Sequence, residues 1–181
     1  MVLKLVTLVL FLSLFVCTEI RANQGQNLSK EKFLNLAFPS PQSSTSQYKL
    51  ETLWLTKGIK QEAENILGHP FNMLRIRYWT LGNRTAWIMD EIGKVKPITT
   101  GVIIENQAIQ SVHILAFRES RGWEVKYPFF TEQFIRATLD NNNKLDKQID
   151  GITGATLSVR AVKKIARLAL FFHTITRDGS L

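Results

Sequence analysis

Between residues 73 and 118 the chain reads as four strands, at 73–80, 85–90, 98–105 and 108–118, with short connections between successive partners. Gly82-Asn83 supplies a two-residue hairpin turn for the first pair. Asn106-Gln107 supplies a tight turn for the last, with Val102, Ile104, Ile109, Val112 and Ile114 available for one face. A parallel neighbour requires a long crossover, so consecutive hairpins imply an antiparallel or mixed sheet. No Gly-x-Gly-x-x-Gly or Walker loop occurs, and the standard dinucleotide and nucleoside triphosphate folds have no support in the sequence. With 181 residues, one domain with a sizeable core is expected.

Helical periodicity flanks these strands, giving an α+β fold. From 49 to 67, Leu50, Leu53, Trp54, Ile59, Ala63 and Ile66 or Leu67 recur at helical spacing until Gly68-His69-Pro70, so one amphipathic helix, weakened at Gly58, is expected. Residues 122–128 read as a loop, 131–139 as a helix, and Asp140-Asn141-Asn142-Asn143-Lys144 as a polar turn. The final helix is expected from about 155 to 175. Ala155, Val159, Val162, Ala166 and Ala169 form a stripe of small residues that lets its axis lie close to a sheet, while Arg160, Lys163, Lys164 and Arg167 lie on other faces.

Immediately before that helix stands Asp150-Gly151-Ile152-Thr153-Gly154-Ala155-Thr156. A helix N-terminus offers unpaired N–H groups and the positive end of the macrodipole, and Gly154-Ala155 leaves room for close approach, which together suit a phosphate. A turn with an ordinary helix cap is the plainer reading of the same residues.

Asp-x-x-Thr-Gly-Ala-Thr resembles the flavinylation signature of the FMN-binding domain family, which includes covalent-flavin subunits of sodium-pumping and Rnf-type electron-transfer complexes. The resemblance covers about residues 94–173. It implies FMN joined by a phosphoester to Thr156, installed by a separate FAD:protein FMN transferase that takes the FMN half of FAD with a divalent metal. Ser158 matches a further hydroxyl common in the family. Thr153 is expected to cap the helix or hydrogen-bond near the phosphate, and the N–H groups of residues 157–159, Leu157 and Ser158 among them, to donate to the phosphate. Gly154 is expected to tolerate no side chain. For Asp150, recognition by the transferase, fixing of the loop and ordinary turn capping stay open. Glu119-Ser120-Arg121-Gly122 is similar to a Glu-Thr-x-Gly stretch that family members carry near the flavin, with Ser120 in place of Thr, so Glu119 and Ser120 join the expected cofactor contacts. Trp79, Trp87, Phe117 and Trp123 are candidate shelves for the ring, although each alone reads more readily as a core residue.

Residues 1–22 differ from the rest: Lys4 precedes an almost unbroken apolar run from Leu5 to Cys17, short for a membrane span and suited to a secretory signal. A lipidated Cys17, preceded by the ill-suited Val16, and an uncleaved anchor are the other readings; all three place the remainder outside the cytoplasm, periplasmic or membrane-associated. Cleavage after Ala22 removes Lys4, Glu19 and Arg21, lowering the net charge from +8 to +7, and leaves no cysteine for a disulfide or thiolate site. Residues 23–48, rich in Ser, Gln and Asn, are expected to form a polar tether with at most one helical turn around Phe33 to Phe38, and 49–181 the FMN-binding domain. Export disfavours nucleic acid as the partner of this basic chain; a membrane surface or an acidic protein fits better. His69, His113 and His173 lie in separate segments without ligand spacing, and no metal site or catalytic triad is expected. The expected function is electron transfer with a membrane-bound or periplasmic redox partner. A flavin-dependent reductase, or a non-redox interaction module, are the alternatives.

Overall fold

The computed structural model describes residues 28–39 and 48–177. The expected signal segment, Cys17 and most of the expected tether lie outside them. Two-residue turns set the register of the sheet. In β2 (Arg75–Leu81) and β3 (Arg84–Ile92), Leu81 pairs with Arg84 across Gly82-Asn83. In β4 (Pro97–Glu105) and β5 (Ala108–Phe117), Glu105 pairs with Ala108 across Asn106 and Gln107, whose φ values of 51° and 66° match the turn that a right-twisted hairpin favours. With β1 (Lys49–Trp54) on the outer edge of β2, the order is β1-β2-β3-β4-β5, antiparallel throughout. The fold is α+β, as expected.

The helix expected over 49–67 is instead β1 followed by α2 (Lys57–Leu67). Leu50, Leu53 and Trp54 fit either period. One distant and one local fact decide it: the free edge of β2 takes Lys49 to Trp54 as a partner, from Lys49 opposite Thr80 to Trp54 opposite Arg75, and Thr56 Oγ1 accepts the N–H of Ile59 at 3.4 Å, capping a new helix. Gly58 therefore sits in a first turn rather than mid-helix. The segment expected to be helical over 131–139 is a short α3 (Pro128–Thr131) and a 3-10 turn (Glu132–Phe134) that ends there. The open edge of β5 competes for its backbone: Arg136, at φ 64°, donates to Ile109 O at 2.7 Å, and Ile109 donates to Ala137 O at 3.0 Å. The polar turn at 140–144 is present, with Asp140 Oδ1 accepting the N–H of Asn142 and of Lys144.

Residues 30–37, expected to belong to the tether, form α1 (Lys30–Ala37), capped by Ser29 Oγ and packed on the sheet. Phe33 is fully buried, and its ring lies where a Cβ on Gly101 would come within 2.6 Å, so the strand can seat the ring only because it has no side chain there. Leu34, Ala37, Trp79, Ala86, Ile103 and Leu115 complete this smaller core.

The larger core fills the opposite face, where α4 (Thr156–Arg177) lies against β3 and β4 with α2 beside it. The expected small-residue stripe is buried there: Ala155, Val159, Val162, Ala166 and Ala169 all face inward. Two polar contacts fix the position of the helix. Near its C-terminal end, Trp87 Nε1 donates to Thr85 Oγ1 at 2.8 Å, leaving the Thr85 hydroxyl to donate to His173 Nδ1 at 2.7 Å. Burial pushes the His173 pKa down to about 4, so the ring is neutral at pH 7. Nearer the N-terminus, the buried Glu91 carboxylate accepts from Lys164 Nζ at 2.9 Å and pairs with His69 Nε2 at 2.9 Å, joining β3 to α4 and to the turn after α2. These contacts hold the start of α4 in one place.

Candidate functional site

The first intrahelical bond of α4 runs from Val159 N to Ala155 O at 2.9 Å, and Ala155 N donates to Ile152 O at 2.9 Å. The N–H groups of Thr156, Leu157 and Ser158 therefore precede the ladder, and no side chain among the described residues caps them. Val159, expected to contribute an N–H, already uses its own within the helix. Thr153 is exposed and makes no capping bond, so the capping role expected of it is not seen. The residue at the cap position is Ala155, which has no side-chain oxygen to offer. Gly154 has φ 81°, which bends the chain into the helix and strains any residue with a side chain; a Cβ there would meet nothing within 4 Å, so conformation rather than crowding makes glycine necessary.

Thr156 is exposed, and its hydroxyl makes no hydrogen bond among the described residues. It borders a cleft of 330 Å³ whose other walls include Lys94, Glu119, Ser120 and Arg121. Three motif residues, Gly154, Ala155 and Thr156, the two that follow, Leu157 and Ser158, and Glu119 and Ser120 of the Glu-Ser-Arg-Gly stretch are thus brought together across more than 30 positions in sequence. The closure is tight at Gly122, also in the left-handed region at φ 87°, where a Cβ would sit 2.5 Å from Ser158 Oγ and 3.4 Å from Ala155 Cβ. Asp150 and Thr153 lie outside this cleft. Asp150 is exposed, and its backbone N–H donates to Gln133 Oε1 at 2.7 Å. Thr153 lines a second groove, of 730 Å³, on the other side of Thr156, with Ile66, Ile149, Ile152 and Val159 in its floor and Arg160, Lys163, Lys164 and Arg167 along its wall.

Glu119 has a definite structural task. Its Oε1 accepts the backbone N–H of Lys94, Val95 and Lys96 at 2.5, 2.6 and 2.8 Å, folding the β3–β4 connection over the cleft. The bond from Val95, followed by that from Lys96, holds its carboxyl below the usual range, so it is ionised at neutral pH. Among the four aromatic candidates, Trp79 and Trp87 are core residues on opposite faces of the sheet, and Phe117 is half-buried with Lys126 Nζ 5.8 Å from its ring centre. Trp123 alone is open, 48 % exposed, directly after Gly122 and edge-on to Tyr127.

Lys94, Arg121 and Gly122 were not singled out as site residues by sequence reasoning. Gly122 carried a usable signal, as the last position of the Glu-Ser-Arg-Gly stretch. Lys94 carried none, because only the Glu119 clamp brings it to the cleft.

A helix start with three open N–H groups, beside a small cleft with cationic walls, defines an α+β domain that fits a phosphate-bearing cofactor. Residues 93–170 match the family model of the FMN-binding domain. That match identifies the segment as similar to FMN-binding domains and supports a flavoprotein that binds FMN. No curated protein matches the chain.

Proposed function

We propose that FMN is held covalently, through a phosphoester to Thr156 Oγ1, and that the protein works outside the cytoplasm as an electron carrier for a membrane-bound or periplasmic partner. One observation carries this reading: Thr156 is the first residue of a rigidly held helix, with its hydroxyl free, at the mouth of the cleft that the motif and the Glu119 stretch build together.

Attachment uses the FAD:protein FMN transferase named by the family resemblance. The Thr156 oxygen forms a bond to the FMN-side phosphorus of FAD, the pyrophosphate linkage breaks, AMP leaves, and the hydroxyl proton passes to a base of the transferase. The product phosphodiester keeps one negative charge. The N–H groups of Thr156, Leu157 and Ser158 can donate hydrogen bonds to it, and Lys94 and Arg121 lie across the cleft to balance its charge. Trp123 offers the ring an exposed apolar face beside the cleft.

Bound flavin supplies the redox chemistry, and the chain sets its position and access. The carrier reading is favoured over a reductase by the acid-base inventory of the cleft. Its carboxylate, Glu119, is taken up by three backbone donors, and among the described residues no histidine and no second carboxylate lines the cleft to move a proton to a substrate. Export by residues 1–22 is part of the proposal, since it places the site beside such partners.

The test is production of the exported protein with and without the transferase, followed by denaturing electrophoresis. Flavin fluorescence that survives denaturation only when the transferase is present is expected. A colourless band in both samples would contradict covalent attachment.

A further inference from the structure

Three large apolar side chains stand in the open around the mouth of the cleft: Val95 at 70 %, Trp123 at 48 % and Leu157 at 42 % exposure. They come from three different segments, and each is placed there by a contact already described. The Glu119 clamp takes up the backbone of residues 94–96 and leaves the Val95 side chain outward. Gly122 seats its loop against Ser158, which presents Trp123. Leu157 projects from the first turn of α4. The exposed charges interleaved with them are cationic, Lys94, Lys96 and Arg121, whereas Glu119 is engaged with backbone N–H groups and Glu124, next to Trp123, is half-buried with its Oε2 turned inward.

We infer that this rim is the docking surface for the redox partner, and that the partner presents an acidic rim around a small apolar centre. The inference rests on the carrier reading of the cleft and adds to it the face used and the charge of the partner. A small apolar centre ringed by cations suits a transient encounter, in which complementary charge sets the rate of association and little buried area permits quick release. The surface is continuous with the cleft, so a protein seated on it lies against the cofactor. The larger groove with Arg160 and Lys163 is the competing surface, and it lies on the other side of Thr156.

The experiment uses FMN-loaded full-length protein and membrane fragments from the organism that produces it. Protein and membranes are prepared in opposite redox states, mixed without oxygen, and electron exchange in either direction is followed at the flavin absorbance. Each FMN gains or loses two electrons, which the membrane-bound centres supply or take up, with protons exchanged with water. Two paired variants are compared: Val95→Asp with Lys96→Glu on the rim, and Arg160→Glu with Lys163→Glu in the groove. Neither Val95 nor Lys96 lines the cleft, and the Lys96 charge is the least of the influences on Glu119, whose clamp rests on three backbone hydrogen bonds, so flavin content and exchange with a small uncharged quinone are expected to match wild type. Exchange with membranes is expected to slow about tenfold in the rim variant and to lose its dependence on salt. The groove variant is expected to stay within about twofold of wild type. Equal rates in the rim variant and wild type overturn the inference and leave the carrier reading standing, and a loss confined to the groove variant overturns it by moving the partner to the other face. Wild-type protein that carries FMN but exchanges no electrons in either direction with membranes, or with the soluble periplasmic fraction offered in the same way, overturns both.

Discussion

Gly122 is packed against Ser158 so closely that a Cβ on the glycine would lie 2.5 Å from the serine oxygen. This contact joins the loop after β5 to the first turn of α4, and so makes one cleft out of two stretches far apart in sequence. Gly122→Ala should be destabilising on two counts, the left-handed backbone at φ 87° and the overlap with Ser158, for a total of about 2–3 kcal/mol. Chemical denaturation measures it. Ser158→Ala in the same chain should recover part of the loss, because it removes the nearer atom. An unchanged midpoint in Gly122→Ala would mean that the loop is not held against the helix.

The Glu119 clamp gives a local prediction. In Glu119→Ala the amides of Lys94, Val95 and Lys96 lose their common acceptor, and their hydrogen exchange should accelerate roughly tenfold while core amides of β3 and β4 do not change. Because the carboxyl is held below its ordinary range, the clamp is complete at neutral pH and should fail only on acidification below the usual carboxylate pKa. Unchanged exchange at residues 94–96 would refute the clamp.

How far the sequence could be read depends on whether local or distant groups decide each element. Both hairpin turns, the last four strands and α4 were legible because turn residues and periodicity act within a few positions, as at Asn106-Gln107. The fate of residues 49–54 was not, since Leu50, Leu53 and Trp54 fit either period and the deciding partner, β2, begins about 20 positions later. Residues 135–139 were misread for the same reason, with Ile109 as the distant partner of their backbone. At the site, the motif was legible as a helix start, and the Glu119 stretch through resemblance. The task of Glu119 was not, because its acceptor role is toward a loop more than 20 residues upstream.

Helix α1 was the largest surprise, since a polar, Pro-containing context hid a buried pair. Phe33→Ala should cost about 3–5 kcal/mol, as expected for emptying a fully buried aromatic site over Gly101. Thermal unfolding of the variant checks it. A loss below about 1 kcal/mol would show that residues 30–37 behave as the spacer their composition suggests.

The buried His173 makes stability depend on pH. Its folded pKa, about 4, lies below the unfolded value of 6.5, so between these values the unfolded chain binds a proton that the folded chain does not. Stability should therefore be complete above pH 6.5, decline as pH falls through this window, and level off below about 4, by roughly 3 kcal/mol in all. His69 acts in the opposite sense: its pKa is raised by the hydrogen bond to Glu91, so its smaller, partly exposed contribution is full below pH 6.5 and fades as pH rises. Urea midpoints measured from pH 4 to 8 in wild type and His173→Gln separate the two. A pH profile identical in both proteins would contradict the neutral, buried imidazole.

The central claim is the bond to Thr156, and intact-mass measurement of the protein made with an active transferase tests it most directly. Wild type should carry the added mass of one FMN less one water, mapped by peptide fragmentation to Thr156, and Thr156→Ala should be folded, stable to within about 1 kcal/mol, and unmodified. An unmodified wild-type chain, or a Thr156→Ala chain that still carries covalent flavin, would contradict the account.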